Sequence, residues 1–322
     1  MDLIYTNRER VDVGVLSAYA FDLSFGASEN DFEITLGLRE NTLEFGSFVY
    51  IEGTEYGGVV DGMKTNTSGE TIVYSGRTWH GILNSKVIQP DAGANYYTVS
   101  GDANVILSTL ISRMGLGSLF TASGNLSGIT IPTYQFKRYC SGYDGIRDML
   151  AAAGAKLKIT WEDRAVLLSA VPVVDYTDAP VDGDMAVLAV EQYRQKVNHL
   201  ICLGKGDLAA REVIHLYVNA SGKIVDTQYY TGIDEIAEIY DYGNSESSDE
   251  LRKGGIEKLT ELMNTDKAEI SIPETLGLVY DIGDVVGASD IKSGVTVAAA
   301  VTQKVVKIKN GAISTNYKTG GN

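Results

Sequence analysis

Residues with reactive side chains are spread along the sequence without the spacing that a metal or catalytic site requires. The three histidines are His80, His199 and His215. None has a second ligand at the spacing of a motif such as H-E-x-x-H, which places two histidines on one helix face. His199 precedes Cys202 by three residues, and on a strand that spacing puts the two side chains on opposite faces. We therefore interpret each histidine as a strand residue with a hydrogen-bonded ring, and we expect no metal site.

Phosphate-binding and nucleophile motifs are equally weak. The run Gly204-Lys-Gly-Asp207 is too short for a Walker loop and lacks the third glycine of a dinucleotide fingerprint. The sequence contains no G-x-S-x-G run of the kind that presents a catalytic serine. We interpret Gly204–Asp207 as a turn, and we expect neither a cofactor nor a catalytic nucleophile.

Acidic side chains could serve a hydrolase. A glycosidase needs two carboxyl groups about 5–10 Å apart, and Asp234 with Glu235 or Asp175 with Asp178 would be candidates. Because the chain has 42 acidic residues, such pairs occur by chance and the pattern is weak. A hydrolase therefore remains an alternative that the sequence leaves open.

Tyrosine is unusually common, with 19 residues against seven phenylalanines. Tyr96-Tyr97 and Tyr229-Tyr230 form pairs, and Tyr240 lies two residues before Tyr242. A tyrosine has an apolar body and a polar tip, so it suits half-buried surfaces. These residues could stack on sugar rings as in a carbohydrate-binding module, fill contacts between subunits, or be ordinary strand residues.

The elements around these residues predict a mainly β protein with an α+β middle. Short strands and glycine-rich turns predict a small β-barrel domain over residues 1–90. Capped amphipathic helices followed by a hairpin predict an α+β domain over 91–185. The strand pattern returns in 186–322, which we expect to be a second β-barrel domain with a helix inserted at 247–264.

Specific local patterns support this division. Asp102, Ser141 and Ser247 are predicted to cap helices. Within Thr71–Leu83 we expect a strand that stops at a turn at Gly76-Arg77 and restarts at Trp79. Val171–Asp184, which is rich in proline and aspartate, is predicted to be a linker.

Composition excludes several function classes. The net charge of −15 argues against a sequence-specific nucleic-acid binder, which needs a basic stripe, and against docking on an anionic membrane. The N-terminal residues do not form a signal peptide, and no run of about 18 apolar residues occurs. Cys140 and Cys202 are expected to be free thiols of a protein made in a reducing cytoplasm.

Four segments in a fixed order resemble the baseplate hub proteins of long-tailed phages and phage-like particles. The likeness is strongest to the hubs of defective-prophage (PBSX-like) contractile tails and their siphophage relatives. The segments span almost the whole chain: Tyr56–Asp61 with Ser75–Leu83; Ser141–Leu150 with Ala155–Trp161; Val197–Gly206 with Arg211–Tyr217 and Tyr230–Ile236; and Tyr280–Val286.

The resemblance implies a structural role in a virion tail baseplate. In such hubs three copies form a homotrimer, and two β-barrel domains from each copy make a ring with pseudo-sixfold symmetry. The ring joins a sixfold tail tube to a threefold spike or fibre. The implied partners are a tail tube or distal tail protein, a spike or fibre protein and the tape measure protein, with DNA passing through the channel. Some family members carry a lysozyme or peptidase extension, which this sequence lacks, so we expect no enzyme activity.

We expect the structural and subunit-contact residues to lie within these segments and among the tyrosine pairs. The candidates are Arg77, Trp79, Tyr96, Tyr97, Tyr229, Tyr230, Gly283 and Asp284.

Overall fold

The structure, a computed structural model, describes residues 2–38, 43–66, 68–182, 187–191, 196–245, 247–263, 267–273, 279–290, 292, 294–309 and 311–320. The chain forms two compact units. Unit 1 contains residues 1–188 and 269–319, and unit 2 contains 189–268 and 320–322. This division differs from the three expected domains, because the N-terminal β region, the α+β middle and the C-terminal hairpin all belong to unit 1.

Unit 1 is built mainly from strands. Its N-terminal strands are β1 (Leu3–Thr6), β2 (Asp12–Leu16), β3 (Ala20–Gly26), β4 (Asp31–Gly37), β5 (Phe48–Tyr50), β6 (Gly57–Asn66) and β7 (Thr71–Thr78). The middle part contains α1 (Trp79–Asn84), β8 (Val87–Ile88), β9 (Thr98–Asp102), α2 (Ala103–Arg113), β10 (Phe120–Ala122), β11 (Thr130–Gln135), β12 (Cys140–Ser141), α3 (Gly142–Ala151), β13 (Ala155–Glu162) and β14 (Ala165–Pro172). The remaining strands are β15 (Asp175–Asp182), β22 (Val285–Asp290), β23 (Val295–Lys309) and β24 (Ala312–Thr319). The chain leaves unit 1 within β16 (Val187–Glu191) and returns within β21 (Lys267–Pro273).

One large sheet joins the two ends of the chain in unit 1. The order from β24 is β24-β23-β3-β4-β7-β6-β5-β1-β2. The long strand β23 pairs antiparallel with β3, with Val306 opposite Leu23, and on its other side with β24. Phe21, Leu23 and Val306 are buried in the core beneath this sheet. The expected separate C-terminal barrel at 186–322 is therefore wrong for the last hairpin, whose apolar face completes the N-terminal core.

The α+β middle follows its sequence pattern closely. The carboxylate of Asp102 accepts a hydrogen bond from the Asn104 amide and caps α2, and the Ser141 hydroxyl accepts one from the Asp144 amide and caps α3. β13 and β14 form the expected hairpin. The helices pack their apolar sides into one core with the inner face of the hairpin. The expected linker at Val171–Asp184 is wrong over most of its length, because β15 pairs in parallel with β22.

The segment Thr71–Leu83 also differs from expectation. β7 continues through Gly76 and Arg77 to Thr78, and a helix rather than a second strand begins at Trp79. The Thr78 hydroxyl accepts a hydrogen bond from the Gly81 amide and so caps the helix.

Unit 2 is a four-stranded sheet with one helix on it. Its strands are β17 (His199–Leu203), β18 (Val213–Val218), β19 (Ile224–Val225) and β20 (Ala237–Asp241), in the order β19-β18-β17-β20, and its helix is α4 (Ser248–Met263). α4 begins at the expected capping residue Ser247, whose hydroxyl accepts from the Glu250 amide. A Cβ atom at Gly255 would lie 2.4 Å from the Cys202 sulfur, so glycine allows the helix to pack closely on β17. The end of the expected helix, residue 264, lies outside the described residues.

None of the helices in the described part of the chain is both long and apolar enough to span a membrane.

Candidate functional site

Two glycines of the hub-like segments let an aromatic ring lie against the sheet of unit 1. Gly58 on β6 and Gly76 on β7 both face the ring of Phe32. A Cβ atom at Gly76 would lie 1.9 Å from the carbonyl oxygen of Val59 and 2.9 Å from the Phe32 ring. Gly76 therefore permits close approach within the sheet and does not form the expected turn.

Replacing Gly76 with alanine should destabilise unit 1. The added methyl group collides with the backbone of the neighbouring strand, and accommodating it should cost about 1–3 kcal/mol, as in overpacked cores. Gly37→Ala on β4 is the matched control, because nothing lies within 4 Å of a Cβ atom at Gly37. Urea denaturation of both variants makes the comparison. Equal stability of the two would mean that the strands around Gly76 can separate without cost.

Trp79 lies at the centre of the same region and is completely buried. Its ring stacks on Trp161 with 5.0 Å between centroids and meets the edge of Phe48 at 5.6 Å. A Cβ atom at Gly57 would lie 2.8 Å from the Trp79 ring, which accounts for the first glycine of the Tyr56–Asp61 segment. Trp79 is therefore a core residue that joins the large sheet to the α+β middle.

Arg77 lies near the end of β7, two residues before Trp79, and is on the surface. Its guanidinium forms a two-point ion pair with Asp61 on β6, with Nε–Oδ2 and Nη2–Oδ1 distances of 2.7 and 2.9 Å. The hydrogen bond from Arg77 is the main cause of the lowered pKa of the Asp61 carboxyl. The pair ties β6 to β7 and leaves about half of the arginine side chain accessible.

Gly283 and Asp284 belong to a buried ion cluster. The Lys156 ammonium lies 2.7 Å from Asp284 and 2.8 Å from Asp281, and Asp284 is almost completely buried. The Asp284 carboxylate also accepts hydrogen bonds from the backbone amides of Val174 and Asp281. Burial of Lys156 opposes its charge, but its hydrogen bonds to the two aspartates dominate and raise its pKa. The cluster therefore fastens β13 to the turn before β22.

Replacing Gly283 with valine should loosen this turn. Gly283 has a φ of +99°, and a Cβ atom there would lie 3.1 Å from the Cβ atom of Lys156. A β-branched side chain in this backbone conformation should cost about 1–3 kcal/mol, and thermal unfolding would measure it. Gly124→Val is the control, because Gly124 has no such φ and nothing within 4 Å. A Gly283→Val protein that melts like the control would show that the turn tolerates a side chain.

A second buried ion cluster was not foreseen from the sequence. The Lys304 ammonium on β23 lies 2.6 Å from the Glu55 carboxylate, which is 3.6 Å from His80 Nε2. The rings of Tyr56 and Tyr317 lie within 6 Å of the ammonium. Burial opposes ionisation of Glu55, but the Lys304 charge and the contacts with Lys304 and His80 outweigh it and lower its pKa to about 2.

His80 itself corrects an expectation. It lies on helix α1, not on a strand, and its ring stacks on Phe25 at 4.4 Å. Its Nδ1 atom is buried without a hydrogen-bond partner in the described part of the chain. Burial is the dominant influence and lowers its pKa, so the ring favours the neutral form.

The other two histidines meet in unit 2. His199 Nδ1 lies 2.6 Å from Glu235 Oε1, and His199 Nε2 lies 2.8 Å from His215 Nδ1. Sequence spacing does not reveal this contact, because the two histidines lie on different strands and are placed diagonally, with Ile201 opposite His215. His199 and Cys202 lie on opposite faces as predicted, since Cys202 packs under α4. His199 therefore links Glu235 to His215 within unit 2.

The tyrosine pairs have different settings. Tyr97 stacks on Phe136, and the Arg113 guanidinium lies 4.1 Å from its ring centroid, whereas Tyr96 is partly exposed. Tyr229 is exposed and meets Tyr230 edge to face at 5.0 Å. Their expected role at subunit contacts stays a prediction.

Several of the candidate reactive groups are thus engaged in contacts with other parts of the protein. Within the described ranges, no group of three or more histidine, cysteine or acidic side chains has the geometry to hold a metal ion. Of the candidate hydrolase acids, Glu235 binds His199, and Asp175 accepts a hydrogen bond from the Thr177 amide. The geometry supports a protein held together by buried ion clusters and aromatic packing.

Three solved structures with a similar fold are described as tail or baseplate proteins. A tail protein from Neisseria meningitidis aligns with 100% of this chain and 96% of its own length, with a TM-score of 0.60 and 12% identity. The 43 kDa tail protein of prophage MuSo2 from Shewanella oneidensis aligns with 99% of this chain and 97% of its own, with a TM-score of 0.61 and 11% identity. A chain of the phage P2 baseplate in its activated conformation aligns over 98% of both chains, with a TM-score of 0.50 and 12% identity.

No family model and no curated protein matches the sequence. The chain has the fold of phage tail and baseplate proteins, and the mainly β class expected from the sequence is confirmed. At these identities the likeness concerns the fold.

Proposed function

We propose that this chain is a structural hub subunit of the baseplate of a phage or phage-like tail. The observation that carries the proposal is the agreement of fold over nearly the full length of both this chain and the tail proteins. The solved structures that share this fold carry the names of tail and baseplate proteins, which favours a role in assembly.

In the proposed assembly three copies form a ring between the tail tube and the spike or fibre. A ring of identical subunits needs heterologous contacts that close after three copies. The channel of this ring admits the tape measure protein and then DNA, and a strongly acidic chain lowers the affinity of its walls for phosphate. The chain acts in the virion tail after synthesis in the host cytoplasm.

Particle assembly tests this role. Deleting the gene from its phage or prophage should yield tails without baseplates, seen by negative-stain electron microscopy, and expression of the chain in trans should restore them. Complete baseplates in the deletion strain would contradict the proposal.

A tail-associated cell-wall hydrolase is the alternative. It predicts a clear zone when the purified chain is run in a gel containing peptidoglycan, and loss of that zone when one carboxylate is replaced. The proposed structural role predicts no clearing.

A further inference from the structure

Strand β2 forms a free edge of the large sheet in unit 1. It pairs with β1 on one side, with Leu16 opposite Leu3 and Val15 opposite Ile4. Among the described residues no strand pairs with its other side. An unpaired edge presents backbone N–H and C=O groups that can bind another strand.

The exposed side chains of this edge are apolar, although a surface in contact with water usually carries polar residues. Val13 and Val15 of β2, and Val11 immediately before the strand, stand at every second position and are 56%, 52% and 53% exposed. Natural edge strands are usually protected by charged residues or proline. The outward face of β2 has neither, and its β-branched side chains favour the extended conformation that a pairing strand requires.

The opposite face of β2 is already used within unit 1. Leu16 is buried in the core, and the Tyr5 ring packs against Gly14. Asp12 accepts a hydrogen bond from the Tyr50 hydroxyl at 2.7 Å and lies 3.5 Å from Arg164. The position of the strand is therefore fixed before any partner binds, and its valine face is preorganised.

The net charge of the chain limits where a second copy could bind. Two copies of a chain with a net charge of −15 repel each other, so they can pair only where acidic side chains are absent or neutralised. The valine face meets this condition. In contrast, β15, whose one partner among the described strands is β22, carries Asp175, Asp178 and Asp182 together with Pro180.

We propose that the β2 edge, with Val11, Val13 and Val15, is the surface through which one copy of this chain pairs with the next in the assembly. This inference rests on the proposed ring. In a ring of three the contact is heterologous, so β2 of one copy binds a different edge of its neighbour. Main-chain hydrogen bonds supply the affinity, and the three valines fill the contact.

The test places a charge on this edge. Val13→Lys should raise the concentration at which the trimer half-dissociates by about tenfold or more, because an ammonium would be buried in an apolar contact. Val105→Lys is the matched control, since Val105 lies on α2 and is 55% exposed. Native mass spectrometry over a dilution series measures assembly, and thermal unfolding checks that both variants remain folded. Hydrogen exchange of the β2 amides should be slower in wild-type trimer than in the Val13→Lys monomer.

The outcomes separate this inference from the proposed function. If the wild-type and Val13→Lys proteins formed trimers of equal affinity, the proposed edge contact would be wrong, while the proposed ring would stand. A two-fold dimer made by β2 pairing with itself would overturn the heterologous contact. A wild-type monomer, alone and with its tail partners, would overturn both the ring and the edge contact.

Discussion

Replacing Lys304 with methionine is expected to lower the free energy of unfolding by about 3–5 kcal/mol, because the buried Glu55 carboxylate would lose its cationic partner and keep only its contact with His80. Lys304 is 2% exposed and Glu55 is 19% exposed, so water can compensate little of the loss. The pair joins β23 to the segment between β5 and β6, and its loss should weaken the attachment of the C-terminal hairpin. Urea denaturation followed by far-UV circular dichroism gives the measurement.

The double variant Lys304→Met with Glu55→Leu provides the control. Apolar residues of similar volume often replace a buried ion pair with little loss. The double variant should therefore be more stable than Lys304→Met alone. If the second substitution restored nothing, the effect would come from packing of the lysine stem and not from the unpaired carboxylate.

The Lys304–Glu55 pair also makes the stability of the wild-type protein depend on pH. The pKa of Glu55 falls from its ordinary value of 4.5 to about 2 on folding. A group whose pKa is lowered in the folded state stabilises that state at pH values above its unfolded pKa. This contribution should be complete above about pH 5 and should disappear as the pH falls through 4.5 toward 2. The double variant should lose less stability over this range.

Replacing Trp79 with alanine should lower the free energy of unfolding by about 3–5 kcal/mol. The indole is fully buried between Phe48 and Trp161, and alanine would leave a large cavity that these rings cannot fill. Trp79→Phe should cost clearly less, because a smaller ring retains part of the contact. The melting temperatures of the two variants measure this difference in stability. An unchanged value for Trp79→Ala would contradict the core position of this residue.

Local features of this fold could be predicted because short stretches of sequence determine them. Helices α2, α3 and α4 begin at the predicted caps, since a capping side chain and its amide partner lie within three residues of each other. The hairpin of β13 and β14 was likewise predicted, because its strands and its turn are contiguous.

Long-range pairing could not be predicted in the same way. Alternation of apolar residues in β23 shows which face is buried but not which strand lies beside it, so its pairing with β3 was missed. Lys304 and Glu55 are 249 positions apart, and neither has a local signal of a buried pair. Gly76 was wrongly interpreted as a turn because a glycine needed for close approach looks the same in sequence as one needed for a bend.

The most direct test of the central proposal is the mass of the native particle that the purified chain forms. Native mass spectrometry, alone and with the neighbouring tail proteins, should give a species of three times the 34.7 kDa chain mass, held in a ring with an open centre in electron micrographs. A single 34.7 kDa species under every condition, above all one that degrades peptidoglycan, would contradict the proposed hub.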